Sequence, residues 1–79
     1  MISKESSQIL LSVVIPTYNE EKRIKESLKK IRSYLDSQKY SYEVIISDDG
    51  STDLTSDIVE RITTHWPQLN LLSNSHRGK

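Results

Sequence analysis

Val44-Ile45-Ile46-Ser47-Asp48-Asp49-Gly50-Ser51-Thr52-Asp53 decides the reading of this chain. A short β-branched run closes in two carboxylates, a glycine and a set of small hydroxyl residues. This is how a buried strand ends in a turn and then a helix cap. Upstream, Val13-Val14-Ile15 runs in the same way into Pro16-Thr17-Tyr18-Asn19-Glu20. If both strands belong to one parallel sheet, their carboxyl ends lie on the same edge. Ligands of open α/β sheets bind outside that edge. An aromatic ring, a proline, adjacent carboxylates and a glycine turn then converge on one crevice, a combination suited to a nucleotide.

Outward from these two runs, the chain divides into five elements. Ile9 to Ile15 reads as a first strand, nearly continuous in apolar residues, as expected of a strand covered on both faces. Pro16 lacks the amide that would continue the ladder, so the strand is expected to end there. Asn19-Glu20-Glu21 reads as a helix start, a capping candidate followed by first-turn carboxylates. Ile24, Leu28, Ile31 and Leu35 follow at helical spacing. Lys22, Arg23, Lys25, Lys29, Lys30 and Arg32 lie between them, most simply as a solvated helix face; a membrane-surface contact by Lys29 and Lys30 is the lesser reading. Tyr42 to Ser47 is the second strand. Ser51 or Asp53 caps a second helix whose stripe is Leu54, Ile58, Ile62 and Trp66, with Val59 beside it, and Pro67 stops it. Leu69 to Ser73 is a short third strand. Right-handed crossovers put both helices on one face and give the strand order 3-2-1. The fold class is therefore α/β, a Rossmann-like three-layer fragment.

Size and composition narrow the function. The chain has 79 residues, enough for one small domain. Eleven Lys and Arg balance eleven Asp and Glu, so the net charge is zero and nothing calls for a nucleic-acid partner. No cysteine is present, which excludes disulfides and thiolate metal sites. No apolar stretch approaches the roughly 18–20 residues of a membrane span. The polar residues 1–8 read as a flexible N-terminal tail, and a cytoplasmic location is expected.

Individual residues at the crevice have specific uses. Tyr18 can stack on a base or pack on the first helix. Asp48 and Asp49 point to opposite faces of a strand end, so one of them can face the crevice and accept hydrogen bonds from a base or a ribose. Gly50 lets the backbone turn. Arg77 and Lys79 could meet phosphates, with Gly78 permitting close approach. His65 and His76 have no partner that points to a metal or a catalytic pair. Neither a G-x-G-x-x-G loop nor a Walker lysine loop is present.

The two strand-end motifs, with Arg77-Gly78-Lys79, resemble the start of glycosyltransferase family 2. They look most like its dolichyl-phosphate and polyprenyl-phosphate sugar transferase branch, in which Asn usually stands at the place of His76. The resemblance covers roughly residues 10 to 79. It implies that residues 9–79 form the N-terminal nucleotide-binding portion of a GT-A domain, an inverting hexosyl transferase. The implied donor is a UDP- or GDP-sugar, and the implied acceptors include a polyprenyl phosphate, with membrane association of the longer parent. Carried over by position, Pro16, Tyr18 and Glu20 line the nucleoside pocket, Asp49 with Asp48 reads base and ribose, and Lys79 approaches the donor phosphates.

The resemblance also implies a divalent metal, Mg or Mn, held in the parent by an Asp-x-Asp motif, and a general base on the acceptor. Neither motif occurs in these 79 residues, so the chain alone is expected to hold no metal, to carry no catalytic residue and to transfer no sugar. Asp48 and Asp49 are not that metal motif, since they end the second strand. A different class of reading is a non-catalytic assembly or receiver-like α/β module. A receiver needs an acidic pair after strand 1 and a phosphoacceptor after strand 3, where this chain has Pro-Thr-Tyr-Asn and Ser-Asn-Ser. A bare edge and sheet face also predict a homodimer or higher oligomer.

Overall fold

The computed structural model describes residues 10–74. The expected N-terminal tail and the Arg77-Gly78-Lys79 segment, with the phosphate contact expected of Lys79, lie outside the described residues. The elements are β1 (Leu10–Thr17), α1 (Ile24–Asp36), β2 (Ser41–Asp48), α2 (Thr55–Thr63) and β3 (Leu69–Ser73). All strand pairings are parallel, and β2 lies between β1 and β3, as the crossover rule predicts.

The alternation of β2 decides the layering. Tyr42, Val44, Ile46 and Asp48 are buried, whereas Glu43, Ile45 and Ser47 are only partly covered. Successive strand residues point to opposite faces, so one face is packed and the other is thinly protected. The packed face meets Ile24, Leu28 and Leu35 of α1 and Val59 of α2 in one core cluster, which Trp66 and Leu69 complete. Both helices therefore lie on that face. The opposite face carries Val14, 59% exposed, and Leu72, 54% exposed. The near-continuous apolar run of β1 led to an expectation of cover on both faces. Among the described residues it has cover on one.

Four local expectations are corrected. First, β1 continues through Pro16 to Thr17. The Thr17 carbonyl accepts from the Asp49 amide at 2.9 Å, so Thr17 turns its backbone groups toward β2. Pro16, one residue earlier, turns its own outward, where an edge strand needs no amide. Second, Asn19 does not cap α1. That helix begins at Ile24 after a turn built on the Glu20 carbonyl, which accepts from the amides of Arg23 and Ile24. Third, the buried face of α2 is Thr55 and Val59, while Leu54 is exposed. Fourth, α2 ends at Thr63, so Trp66 enters the core from the turn beyond it and not by helical periodicity.

Trp66 anchors the far end of the domain. Its indole N–H donates to the Tyr42 hydroxyl at 2.8 Å, and that hydroxyl donates to Asp36 at 2.7 Å. The Arg32 guanidinium lies 5.3 Å from the Trp66 ring centroid and donates to the His65 carbonyl. Burial and the bond to Asp36 raise the pKa of the Tyr42 phenol. The end of α1, the middle of the sheet and the turn after α2 are thereby tied together, opposite the carboxyl edge.

Candidate functional site

At the carboxyl edge the loop after β1 (residues 18–23) and the loop after β2 (residues 49–54) lie side by side, because their strands are neighbours in register. The register pairs Thr17 with Asp48. Tyr18 and Asp49 follow directly, each at the exposed end of its strand. Tyr18 is 42% exposed.

Asp48 and Asp49 face different ways. Asp48 is 1% exposed, turned into the helix-covered side. One of its oxygens accepts from the Thr17 hydroxyl at 2.7 Å and from the Ser51 hydroxyl at 2.6 Å. The other accepts from the Ser51 amide at 2.9 Å and the Ser56 hydroxyl at 3.1 Å. Burial alone would push the Asp48 carboxyl up. The bonds from Ser51, Thr17 and Ser56 outweigh it and hold the group below its ordinary value. Asp48 therefore fixes the loop from beneath, and Asp49 stands at the solvent side.

Side chains that reach across the edge join the two loops. Asn19 has φ 52°, in the left-handed region, and its side-chain oxygen accepts from the amides of Thr52 at 2.8 Å and Asp53 at 3.3 Å. Its own amide donates to the Ser51 hydroxyl at 2.8 Å. The Glu20 amide donates to the Thr55 hydroxyl at 2.7 Å, and the Glu21 amide to Asp53 at 3.2 Å. In return the Leu54 amide donates to the Glu21 carboxylate at 2.8 Å. Asp53 also accepts from the Thr55 amide at 2.9 Å, a local turn just ahead of α2, whose N-cap is Leu54 rather than the expected Ser51 or Asp53. Between these ties Gly50 adopts φ 78°, a conformation that costs a glycine little. The third loop joins in: the Asn74 amide donates to the Asp48 carbonyl at 2.7 Å, and its side chain to the Ser47 hydroxyl at 3.0 Å.

Of the other expected site residues, Pro16 and Glu20 line one hollow of about 280 Å³ with Thr17, Arg23 and Ser27, on the outer side of β1. Glu20 forms an ion pair there with Arg23 at 2.6 Å. Sequence reading missed Thr17, Asn19 and Ser56 as parts of the site. Thr17 was legible from alternation, which sets it on the face of Val13 and Ile15. Asn19 and Ser56 had no signal of their own, since their partners come from another loop or from the strand end.

A wider groove lies elsewhere. A cleft of about 670 Å³ runs between α1 and α2, lined by Lys22, Lys25, Lys29, Arg61 and their neighbours. It is a trough between long solvated side chains. The hydrogen-bonded loops converge at the carboxyl edge, and that edge has the makings of a specific site.

The divalent metal implied by the resemblance does not fit the described residues. Among them no group of three His, Cys, Asp or Glu is placed to hold an ion, and both Asp48 oxygens are engaged by protein donors.

Fold and edge together define a class: a parallel α/β unit whose carboxyl-edge loops are tied together by hydrogen bonds. The chain belongs to the Glycosyl transferase family 2, whose pattern it matches over residues 12–79. It is 34% identical over 74 residues to a dolichyl-phosphate beta-glucosyltransferase of Trichomonas vaginalis, covering 87% of this chain and 23% of that protein. It is 47% identical over 53 residues to the human dolichyl-phosphate beta-glucosyltransferase, covering 61% of this chain and 16% of that protein. It is 43% identical over 49 residues to an undecaprenyl-phosphate 4-deoxy-4-formamido-L-arabinose transferase of Edwardsiella ictaluri, covering 62% and 15% respectively. The chain spans about a quarter or less of the length of these relatives. No helix among the described residues is long and apolar enough to cross a membrane.

Proposed function

We propose that the carboxyl edge receives the nucleoside diphosphate of a sugar donor, in an inverting glycosyltransferase whose acceptor is a polyprenyl phosphate. The observation that carries this reading is the placement of Tyr18 and Asp49 at the exposed ends of two adjoining parallel strands, on loops tied together by hydrogen bonds. In this reading Tyr18 offers its ring to the base and Asp49 accepts from a base N–H or a ribose hydroxyl. Asp48 contributes by holding the Asp49–Ser51 turn, Pro16 and Glu20 wall the β1 side, and Lys79 approaches the phosphates. The names of the relatives support a polyprenyl-phosphate acceptor.

Sugar transfer itself is proposed to require residues beyond these 79, including those that hold the metal and the base that deprotonates the acceptor. The chain alone is then a binding unit. The test is titration of the protein with uridine and guanosine diphosphates. Asp49→Ala is expected to weaken the favoured nucleotide by about 1–3 kcal/mol, the range for a lost hydrogen-bond partner. Tyr18→Ala is expected to cost about 1–3 kcal/mol, as base–aromatic stacking does elsewhere. Binding that both variants leave unchanged places the site elsewhere.

A further inference from the structure

We propose that Asn19 is a positioning residue: its side chain clasps the loop after β1 to the loop after β2 and aligns Tyr18 and Asp49 as one rigid pair. The inference rests on the reading of this edge as a nucleoside site and adds the residue that sets its geometry.

Asn19 is the non-glycine residue with positive φ among the described residues, at 52°. Apart from glycine, asparagine and aspartate enter this region most readily. A glycine would satisfy the backbone at least as well, so the backbone alone gives no reason for asparagine. The side chain gives one. Its oxygen accepts from the Thr52 amide at 2.8 Å, the Asp53 amide at 3.3 Å and the Thr52 hydroxyl at 3.4 Å, beside the backbone N–H of Asn19, which donates to the Ser51 hydroxyl. These partners lie 32 to 34 residues away in the chain, so the bonds join separate βα units.

The position of the clasp matters as much as its strength. Tyr18 lies between Thr17 and Asn19, and Asp49 and Gly50 lie between Asp48 and Ser51. On the inner side the rim is closed by the Thr17–Asp49 backbone bond and the Thr17–Asp48 side-chain bond. On the outer side it is closed by Asn19. Tyr18 is thus bracketed by ties at Thr17 and Asn19, and Asp49 and Gly50 by the Asp48–Ser51 bonds, to which Asn19 adds a tie from the neighbouring loop. The bonds further along, from Glu20 to Thr55 and from Glu21 to Asp53, hold the two helix starts together without Asn19. Loss of the clasp therefore loosens the rim while the domain stays folded.

The experiment compares the 79-residue protein with Asn19→Gly, Asn19→Ala and Asn19→Asp by ¹⁵N relaxation, thermal unfolding and titration with uridine and guanosine diphosphates. Asn19→Gly keeps the backbone angle and the backbone bond to Ser51 and removes the side-chain bonds to Thr52 and Asp53. Asn19→Asp keeps the acceptor oxygen and tolerates the left-handed region. In Asn19→Gly the order parameters of Tyr18, Asp49 and Gly50 are expected to fall together, from about 0.85 to below about 0.6, with the β2 and α1 amides unchanged. Nucleotide affinity is expected to fall about tenfold if the aligned pair is populated in about a tenth of the molecules. Asn19→Asp is expected to restore the order parameters and most of the affinity. Rigid Tyr18 and Asp49 amides in Asn19→Gly overturn the clasp whether or not nucleotide binds, as does an unchanged affinity in that variant. If the wild-type chain binds neither nucleotide, the nucleoside reading of the edge fails, and the relaxation data still decide the clasp.

Discussion

Asp48 and Asp49 are neighbours of the same chemistry, and the fold gives them opposite tasks. Asp48 accepts four hydrogen bonds from Thr17, Ser51 and Ser56 in a buried place. Asp49 is exposed. That they part was legible in the sequence, because adjacent strand residues point to opposite faces. Which of them turns inward was not, because the donors that decide it sit on a loop and a helix. Asp48 and Asp53 both have lowered pKa values: burial opposes the charged form of each, and hydrogen bonds outweigh it. The sign follows directly. A carboxylate whose folded pKa lies below its unfolded value stabilises the fold above that unfolded value and loses the contribution as pH falls through the folded one. The protein is expected to lose stability as pH drops below about 4, where unfolded Asp begins to protonate. Urea unfolding across pH checks this, and Asp48→Asn should show a shallower acid slope. At neutral pH Asp48→Ala is expected to cost about 1–3 kcal/mol, since it leaves buried donors unpaired.

At the scale of elements, the apolar runs marked β1 and β2 reliably because both strands feed the same core. The stripe of α1 was equally plain: Ile24, Leu28 and Leu35 are all buried. Helix α2 was harder to read, because its buried face includes Thr55, a polar residue placed there to bond Glu20 and Asp53. Helical spacing predicts Trp66 as the last turn of that stripe, but the helix stops at Thr63. Its burial is explained by a polar partner, the Tyr42 hydroxyl, which no periodicity reveals. Tyr42→Phe leaves the buried indole N–H of Trp66 unpaired and is expected to destabilise the domain by about 1–3 kcal/mol. Trp66→Ala is expected to cost more, about 3–5 kcal/mol, because it also empties the core. Chemical denaturation of both variants checks the order. A Tyr42→Phe variant as stable as the parent would show that the bond carries no net stabilisation.

At the scale of the whole molecule, the sheet has a packed face and a thinly covered one. Val14, Leu10 and Leu72 are exposed on the latter, beside half-buried Ile45, and the outer edge of β1 pairs with no strand among the described residues. Apolar patches and open edges of this kind favour association, most simply of two copies about a two-fold axis. The 79-residue chain is expected to sediment as a dimer or larger at micromolar concentration, and Val14→Lys to shift it toward monomer. A strictly monomeric, well-folded parent would contradict this. The opposite end of the sheet supplies the central claim, that the carboxyl edge is built to receive a nucleoside diphosphate. Its most direct test is to titrate the ¹⁵N-labelled protein with uridine diphosphate, then guanosine diphosphate, and map the amide shifts. The account predicts that the shifts centre on Tyr18, Asn19, Asp49, Gly50 and Ser51 with the first nucleotide, the second, or both. Shifts confined to Lys25, Lys29 and Arg61 in the groove between the helices, or no shifts with either nucleotide, would contradict it.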